Sequence, residues 1–563
     1  MNSAHASATL AAPAGRAPWS ADRVLLWTCV AVPLAGLALF FLYPLATVAW
    51  RSLVERDGSI GLGNYAEVFA TRGILTATLN SLAMSAATTV ASIVLGFAIA
   101  YGLDRSCMRG KAIVQLALVL PLLAPSLVQG LGLIFILGRN GLVHRWTGWE
   151  IDIYGFWGLL ISNVFYALPQ AVLILQAALR NMDARYYDAA EVMGASGARQ
   201  FFDITLPNCR FGLLSAAFVV FVITITDFGN AAVIGGNYRV LATEIYSQVS
   251  GQMNFGMGSV VGILLLLPSL ISVQIERVAS QRQFGSASAG SLRVAPRPSR
   301  GRDAAFGAGV LLVAGTIIVT VGTVVFASFM RLWPYRMEWT LKHYDITVSG
   351  GYAPLWTSLY LSLAAAGGGV LLLFFLSFGV CRIPRAWAKL VYMVSVLPVG
   401  VPGLVLGLAY IFAFNAPGTP LYALYGSAAL IALCNFYHYH TQGFLTMMTG
   451  MRAVPQALEE AVSSIGGGTL HVLRDAVLPL IAPTVLGVFF FLFMRSMVTL
   501  SAVIFLVTPS VSVAPVSVLR LDEAGFVSQA AAYSTLIMLV VGGSLLAMRA
   551  LIAGATRRRV VQD

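Results

Sequence analysis

Twelve runs of roughly 20 or more apolar residues, separated by short polar segments, leave this chain few folds to choose from. They lie near 25–50, 77–103, 112–138, 154–179, 211–228 and 256–276, and again near 305–330, 355–381, 388–414, 421–447, 480–505 and 527–550. In hydrocarbon, backbone N–H and C=O groups must be satisfied within a helix or a closed barrel, and a barrel would show short alternating strands instead. The runs therefore predict an all-α polytopic membrane protein of about 12 transmembrane helices. Composition agrees: 58% of residues are hydrophobic and 10% charged, against about 25% charged in a soluble chain.

The basic residues orient the spans. With the N-terminus inside, alternate polar segments hold 24 of the 35 Lys and Arg, the opposite segments hold 10, and Arg495 alone lies within a span. This excess predicts cytoplasmic N- and C-termini. It also accounts for the net charge of +12 by topology and membrane lipid rather than nucleic-acid binding. Met1 to Ala21 is Ala-, Ser- and Pro-rich and is expected to be disordered. The apolar run after it is too long for a signal peptide and lacks a clear cleavage site. The five cysteines form no CxxC and read as small apolar fillers, so neither a disulfide framework nor a metal site is expected.

The chain repeats itself. Ser81, Arg105, Pro121, Pro125 and Gly130 match Ser358, Arg382, Pro398, Pro402 and Gly407 at an offset of 277, which falls to 272 further on. The difference fits the external loop after the third span, long in the first half (Gly138 to Asp152) and short in the second (Asn415 to Pro420). Six spans per half is an even number, so both halves enter the membrane alike and can pair about an axis along its normal. The expected domains are 23–278 and 304–552, flanked by a cytoplasmic segment 1–22 and a basic tail 553–563. A Ser-, Gly-, Pro- and Arg-rich stretch, 279–303, joins them as a flexible linker.

Each half carries one polar pattern between its fourth and fifth spans, at 183–207 and 455–479. Asp188-Ala189-Ala190, Gly194 and Leu206-Pro207 recur as Glu460-Ala461-Val462, Gly466 and Leu478-Pro479. The expected shape is a short helix with an acid in its first turn, a turn at the glycine, and a second helix. In this reading the proline opens the next span, where its missing N–H costs nothing. Tyr186, Tyr187, Val192 and Met193, with Leu458, Val462 and Ile465 in the second copy, would offer an apolar face to a partner's groove.

The pattern resembles the EAA signature of permease subunits of type I ATP-binding-cassette importers. Asp188, Ala189, Ala190, Gly194, Ile204, Leu206 and Pro207 match it, as do Glu460, Ala461, Gly466, Leu478 and Pro479, while Val462 and Ala476 depart conservatively. The resemblance implies two tandem six-helix type I permease domains. It implies that each loop is a coupling helix seated in one of two copies of an ATPase subunit, and that a periplasmic binding protein delivers solute across the bacterial inner membrane. Thr226 to Asn230, Leu241 to Tyr246 and Leu521 to Gly525 are similar to the fused, double-length permeases of the ferric-iron importer group. A neighbouring group handles 2-aminoethylphosphonate; thiamine and polyamine importers are more distant.

Asp227 and Arg495 are the strongly ionisable residues at membrane depth, and intramembrane charge must face a partner or a watery path. Asp227, Asn230, Arg495, Thr499 and Ser501 are therefore the candidates for the pathway, with a structural polar pair or an interfacial loop residue as the alternative. Prolines and glycines in the third and ninth spans would break helical bonding, as moving hinges or as static kinks. His438 and His440, two apart, point to different helix faces and do not make a metal pair. No phosphate-binding loop of the form GxxxxGK[ST] occurs and no nucleophile–base set is present, so an enzyme is not expected, no cofactor is implied, and the energy source is a partner. A secondary transporter, the rival class, predicts paired intramembrane acids and leaves the duplicated loop unexplained.

Overall fold

The computed structural model describes residues 21–55, 57–285 and 292–560. The N-terminal segment before Ala21, the middle of the linker and the last three residues lie outside the described residues, and with them the disorder expected of the N-terminus. The first half contains α1 (Asp22–Leu53), α2 (Arg72–Arg105), α3 (Lys111–Val119), α4 (Leu127–Leu137), α5 (Phe156–Arg180), α6 (Ala184–Val192), α7 (Gly197–Ile225), α8 (Gly229–Ile234), α9 (Leu241–Tyr246) and α10 (Phe255–Gly285). The second contains α11 (Arg300–Ser328), α12 (Ala353–Val380), α13 (Arg385–Val396), α14 (Gly403–Phe414), α15 (Ala428–Arg452), α16 (Gln456–Ser464), α17 (Thr469–Val498), α18 (Ala514–Glu523) and α19 (Val527–Val560). A small hairpin, β1 (Met330–Leu332) and β2 (Arg336–Trp339), is the one sheet among the described residues.

Among the described residues ten helices are long and apolar enough to cross a membrane, or eleven if a bent pair counts as one span. Three of the twelve expected runs differ from simple spans for identifiable reasons. The run at 421–447 is α15, 25 residues long, whose Asn435, His440 and Thr441 make it polar. Those residues are buried, so protein rather than lipid surrounds them. The run at 388–414 is broken: α13 and α14 meet at 106°. Pro398 and Pro402 have no N–H to donate, Val401 before the second proline is extended, and a 3-10 turn (Leu397–Gly400) fills the gap. The same break falls between α3 and α4, with its own 3-10 turn at Leu120–Leu122.

The first helix of each half packs on the other half. Helix α1 lies against α12 and α14, and α11 lies against α2, α3 and α4. Small residues allow the close approach, as is usual where lipid removes the hydrophobic drive between helices. A Cβ on Gly36 would sit 2.5 Å from Tyr437 Oη, one on Gly379 2.4 Å from Val30, and one on Gly132 2.4 Å from the Thr320 carbonyl oxygen. Hydrogen bonds follow the same exchange. Tyr410 donates to the Phe40 carbonyl (2.6 Å) and Trp333 Nε1 to that of Phe135 (3.2 Å).

Matched serines show the internal two-fold at the atomic level. Ser81 Oγ accepts the Leu241 N–H at 2.7 Å and Ser358 Oγ accepts the Ala514 N–H at 2.8 Å. Each hydroxyl thus satisfies the first free N–H of the short helix, α9 or α18, that precedes the last span of its half.

Candidate functional site

Both polar loops adopt one backbone design. Asp183 caps α6 by accepting the Arg185 N–H at 3.0 Å, and Pro455 precedes α16. Asp188 and Glu460 are each the fifth residue of their helix, not in its first turn as expected, because the helices start earlier than the pattern suggested. After α6 the Gly194 N–H bonds the Glu191 carbonyl and the Ala195 N–H that of Ala190, both at 2.9 Å. After α16 Gly466 bonds Ser463 and Gly467 bonds Val462, both at 3.0 Å. This reciprocal pair closes a helix on a left-handed residue. Gly194 has φ +76° and Gly466 φ +85°, and a Cβ at either would meet nothing within 4 Å. The conformation, not crowding, requires glycine at both places.

Beyond the turn the chain adds a π-helical turn to what was expected. Leu206-Pro207 and Leu478-Pro479 open the α-helical part of the next span, as expected, with the proline in its first turn; π-helical turns at Phe201–Thr205 and Val472–Val477 run directly into them, so α7 and α17 are continuous. The widened turn accommodates the proline, which neither donates a helical hydrogen bond nor tolerates the usual carbonyl behind it. Val192, Met193 and Ile465 are 89%, 79% and 86% exposed at the tips of the loops. Tyr186 and Leu458 are exposed beside them. Tyr187 and Val462 are not part of this face: both are half-buried and pack inward.

Each loop is tied to the end of the second span of its half by a matched arginine. Arg105 is buried, donates to the Leu179 carbonyl at 2.8 Å, and lies 5.2 Å from the Tyr187 ring centroid. Tyr187 in turn hydrogen-bonds Thr205 at 2.8 Å, and burial pushes its phenol above the usual tyrosine range. In the second half Arg382 ion-pairs with Glu459 and donates to the Phe378 carbonyl at 3.0 Å. Tyr187 and Glu459 occupy equivalent positions, so one anchor uses a ring face and the other a carboxylate. Sequence reasoning missed the role, although the Arg105–Arg382 match was the signal.

The loops differ in one respect. The part of the linker just before α11 crosses α6: Ala184 N–H donates to the Leu292 carbonyl at 2.8 Å, and Asp183 pairs with Arg293 in an antiparallel bridge. Arg297 contacts Glu191 and lies 3.8 Å from Asp188. The hydrogen bond it donates to Glu191, then the charge of that carboxylate, pushes the Arg297 guanidinium above its ordinary range. Residues 292–299 are thus a strap, bordering a cavity of about 350 Å³ with Arg105 and Tyr187. The linker read as flexible has defined contacts over this stretch.

The five candidate pathway residues divide into groups. Asp227 accepts the Asn230 N–H at 3.0 Å, Asn230 Nδ2 donates to Asn163 at 3.2 Å, and Asn230 Oδ1 accepts the Gly130 N–H at 3.2 Å. That network stitches α8 to α4 and α5 within the first half. Arg495 lies 4.9 Å from the Tyr439 ring centroid and beside the phenols of Tyr439 and Tyr166. Thr499 Oγ1 contacts Tyr439 Oη at 2.8 Å and donates back to the Arg495 carbonyl at 2.6 Å. Asp227 and Arg495 do not form the pair considered as the alternative. Ser501 sits instead against Gly403, where a Cβ would meet its Oγ at 2.4 Å. His438 is half-buried and His440 buried, its Nδ1 3.2 Å from the Ser395 carbonyl, and no group of His, Cys, Asp and Glu suited to a metal occurs among the described residues. Tyr166, Tyr439 and Asn163 went unnoticed in the sequence because single uncharged residues in an apolar run carry no signal of what they meet.

Comparison with known proteins agrees with this architecture. The profile of the family "Binding-protein-dependent transport system inner membrane component" matches residues 92–285, from α2 through α10. The ferric transport system permease protein FbpB of Actinobacillus pleuropneumoniae is 29% identical over 486 residues, 82% of this chain and 69% of that protein. A protein of Haemophilus influenzae assigned as a ferric transport system permease is 30% identical over 445 residues, 76% of this chain and 70% of its own length. A Salmonella typhi protein assigned to 2-aminoethylphosphonate transport is 23% identical over 269 residues, 46% of this chain and 92% of its own length. Membership in an importer family also answers the choice between importer and secondary transporter. The chain belongs to the binding-protein-dependent inner-membrane transport components and is a fused, double-length permease subunit of an ATP-binding-cassette importer, a transporter component and not an enzyme.

Proposed function

We propose that this permease forms the path by which ferric iron, handed over by a periplasmic binding protein, enters the cytoplasm. The likeness to two ferric permeases along most of both chains supports iron over 2-aminoethylphosphonate, where the likeness covers less than half of this chain. Two copies of an ATPase subunit hold the loops at 183–207 and 455–479, with both termini cytoplasmic. The residues that form each docking unit are Asp188, Ala189, Ala190, Gly194, Leu206 and Pro207, and Glu460, Ala461, Gly466, Leu478 and Pro479. Closure of the ATPase pair on ATP draws the two short helices together, and α7 and α17, continuous with the second limb of each loop, carry the displacement into the membrane. Solute passes Arg495, Thr499 and Ser501, while Asp227 and Asn230 shape the wall from the first half.

One observation carries the coupling role: two loops with identical left-handed glycine turns, each anchored by a buried or half-buried arginine, present exposed apolar tips. Replacing both turn residues, Gly194→Val with Gly466→Val, is expected to abolish ATP-dependent uptake and co-purification of the ATPase while the permease remains folded in detergent. Full uptake by that double variant removes the coupling assignment. Uptake of radiolabelled ferric iron against radiolabelled 2-aminoethylphosphonate tests the cargo, and transport of the phosphonate alone reverses the assignment.

A further inference from the structure

Arg495 carries a full positive charge at mid-membrane without a carboxylate partner among the described residues. Tyr166 and Tyr439 fall in the middle turns of α5 and α15, each 25 residues long, which places the guanidinium near half depth. The helices come from opposite halves, so the cluster lies at the junction between them. Among the described residues the groups facing the guanidinium are those two phenols, with His438 also nearby, and no carboxylate pairs with it. Asp227, which shares Tyr166 as an electrostatic neighbour, is engaged by the Asn230 N–H and Ser126. Arg495 is half-buried, so protein does not enclose it completely. The carbonyl end of α17 and the phenol oxygens solvate a cation as dipoles, but they do not cancel its charge. Pores that pass anions use arginine or lysine in this way, and an intramembrane charge of this cost is kept where solute meets it.

We propose that Arg495 is a charge filter, and that the cargo crosses with an oxyanion group turned towards its guanidinium. Resting on the importer reading above, this specifies the form of the cargo. Ferric iron passes only when ligated by an oxyanion, and the bare trivalent cation is repelled. A free phosphonate satisfies the same chemistry, so the test has separate arms for the two sources.

The full permease, assembled with its ATPase and binding protein in vesicles, is given radiolabelled ferric iron with inorganic phosphate, ferric iron without it, or 2-aminoethylphosphonate. Arg495→Gln is expected to lower uptake of whichever oxyanion-bearing solute the wild type carries by about tenfold or more, and Arg495→Lys to retain most of it. Co-purification of the ATPase should be unchanged in both. Independently, phosphate should raise the thermal midpoint of the purified permease more than chloride at equal ionic strength, and Arg495→Gln should erase that difference. Wild-type uptake rates in Arg495→Gln, or equal phosphate and chloride midpoints in the wild type, overturn the filter. A phosphate-specific shift that depends on Arg495, without binding-protein-dependent uptake of any probe, upholds the oxyanion site and rejects the cargo reading above.

Discussion

A Cβ placed on Gly229 would meet Ser126 Oγ at 2.3 Å, and one on Gly403 would meet Ser501 Oγ at 2.4 Å. Ser126 and Gly403 are equivalent positions, as are Gly229 and Ser501. The two halves therefore fill the same small gap with one hydroxymethyl group, supplied from opposite sides of the contact. Gly403→Ser should overpack the second half and cost about 1–3 kcal/mol. Adding Ser501→Gly should recover most of that loss by recreating the arrangement of the first half. Thermal unfolding of the purified variants measures this, and a double variant no more stable than Gly403→Ser alone would show that the serines are not interchangeable. The sequence displayed these four residues but not their pairing, because the contact joins segments about a hundred residues apart.

At the scale of elements, the turn of each duplicated loop was legible because a left-handed residue leaves a glycine behind. The anchors and the strap were not, since ion pairs and cation–ring contacts depend on where distant segments come to rest. Arg382→Ala leaves Glu459 half-buried without its cation. Hydrogen exchange at 456–464 is expected to rise, with little change at 184–192. Arg297→Ala should act on the other loop. Its pair with Glu191 is largely exposed, so the loss should be small, a rise in exchange of about two- to fivefold at 184–192. Backbone pairing of Ala184 with Leu292 should keep the strap partly in place. Equal changes in α6 and α16 for either variant would contradict the assignment of each anchor to one loop. The strap also makes the two loops unequal: the acid of the first motif already faces Arg297, whereas no such cation of the linker reaches Glu460 among the described residues.

At the scale of the whole molecule, the exchange of first helices decides what can fold alone. A fragment ending at residue 285 keeps α1 but not α12 and α14, against which α1 packs. It also lacks α11, which covers α2 to α4. Such a fragment is expected to aggregate on extraction, whereas fragments divided within 286–291 and expressed together should co-purify as a folded pair. Size-exclusion chromatography in detergent distinguishes these outcomes, and a monodisperse first half by itself would mean that the exchanged contacts are dispensable. The fused linker keeps the partners at high effective concentration, which suits a fold whose halves complete each other.

By itself the chain determined its solvent, its helical class, the two-fold repeat and the duplicated loop, because hydropathy, charge placement, glycine turns and spacing are local or periodic properties. Only the tertiary structure decided that the first helices exchange halves, that the third and ninth runs are broken at their prolines, that a strap covers one loop, and that Arg495 faces two tyrosines and, among the described residues, no acid. In lipid the apolar surfaces of helices are nearly equivalent, so the choice of neighbour rests on small-residue fit and a few polar contacts. Those are set by geometry between segments far apart in the chain, which neither composition nor periodicity records.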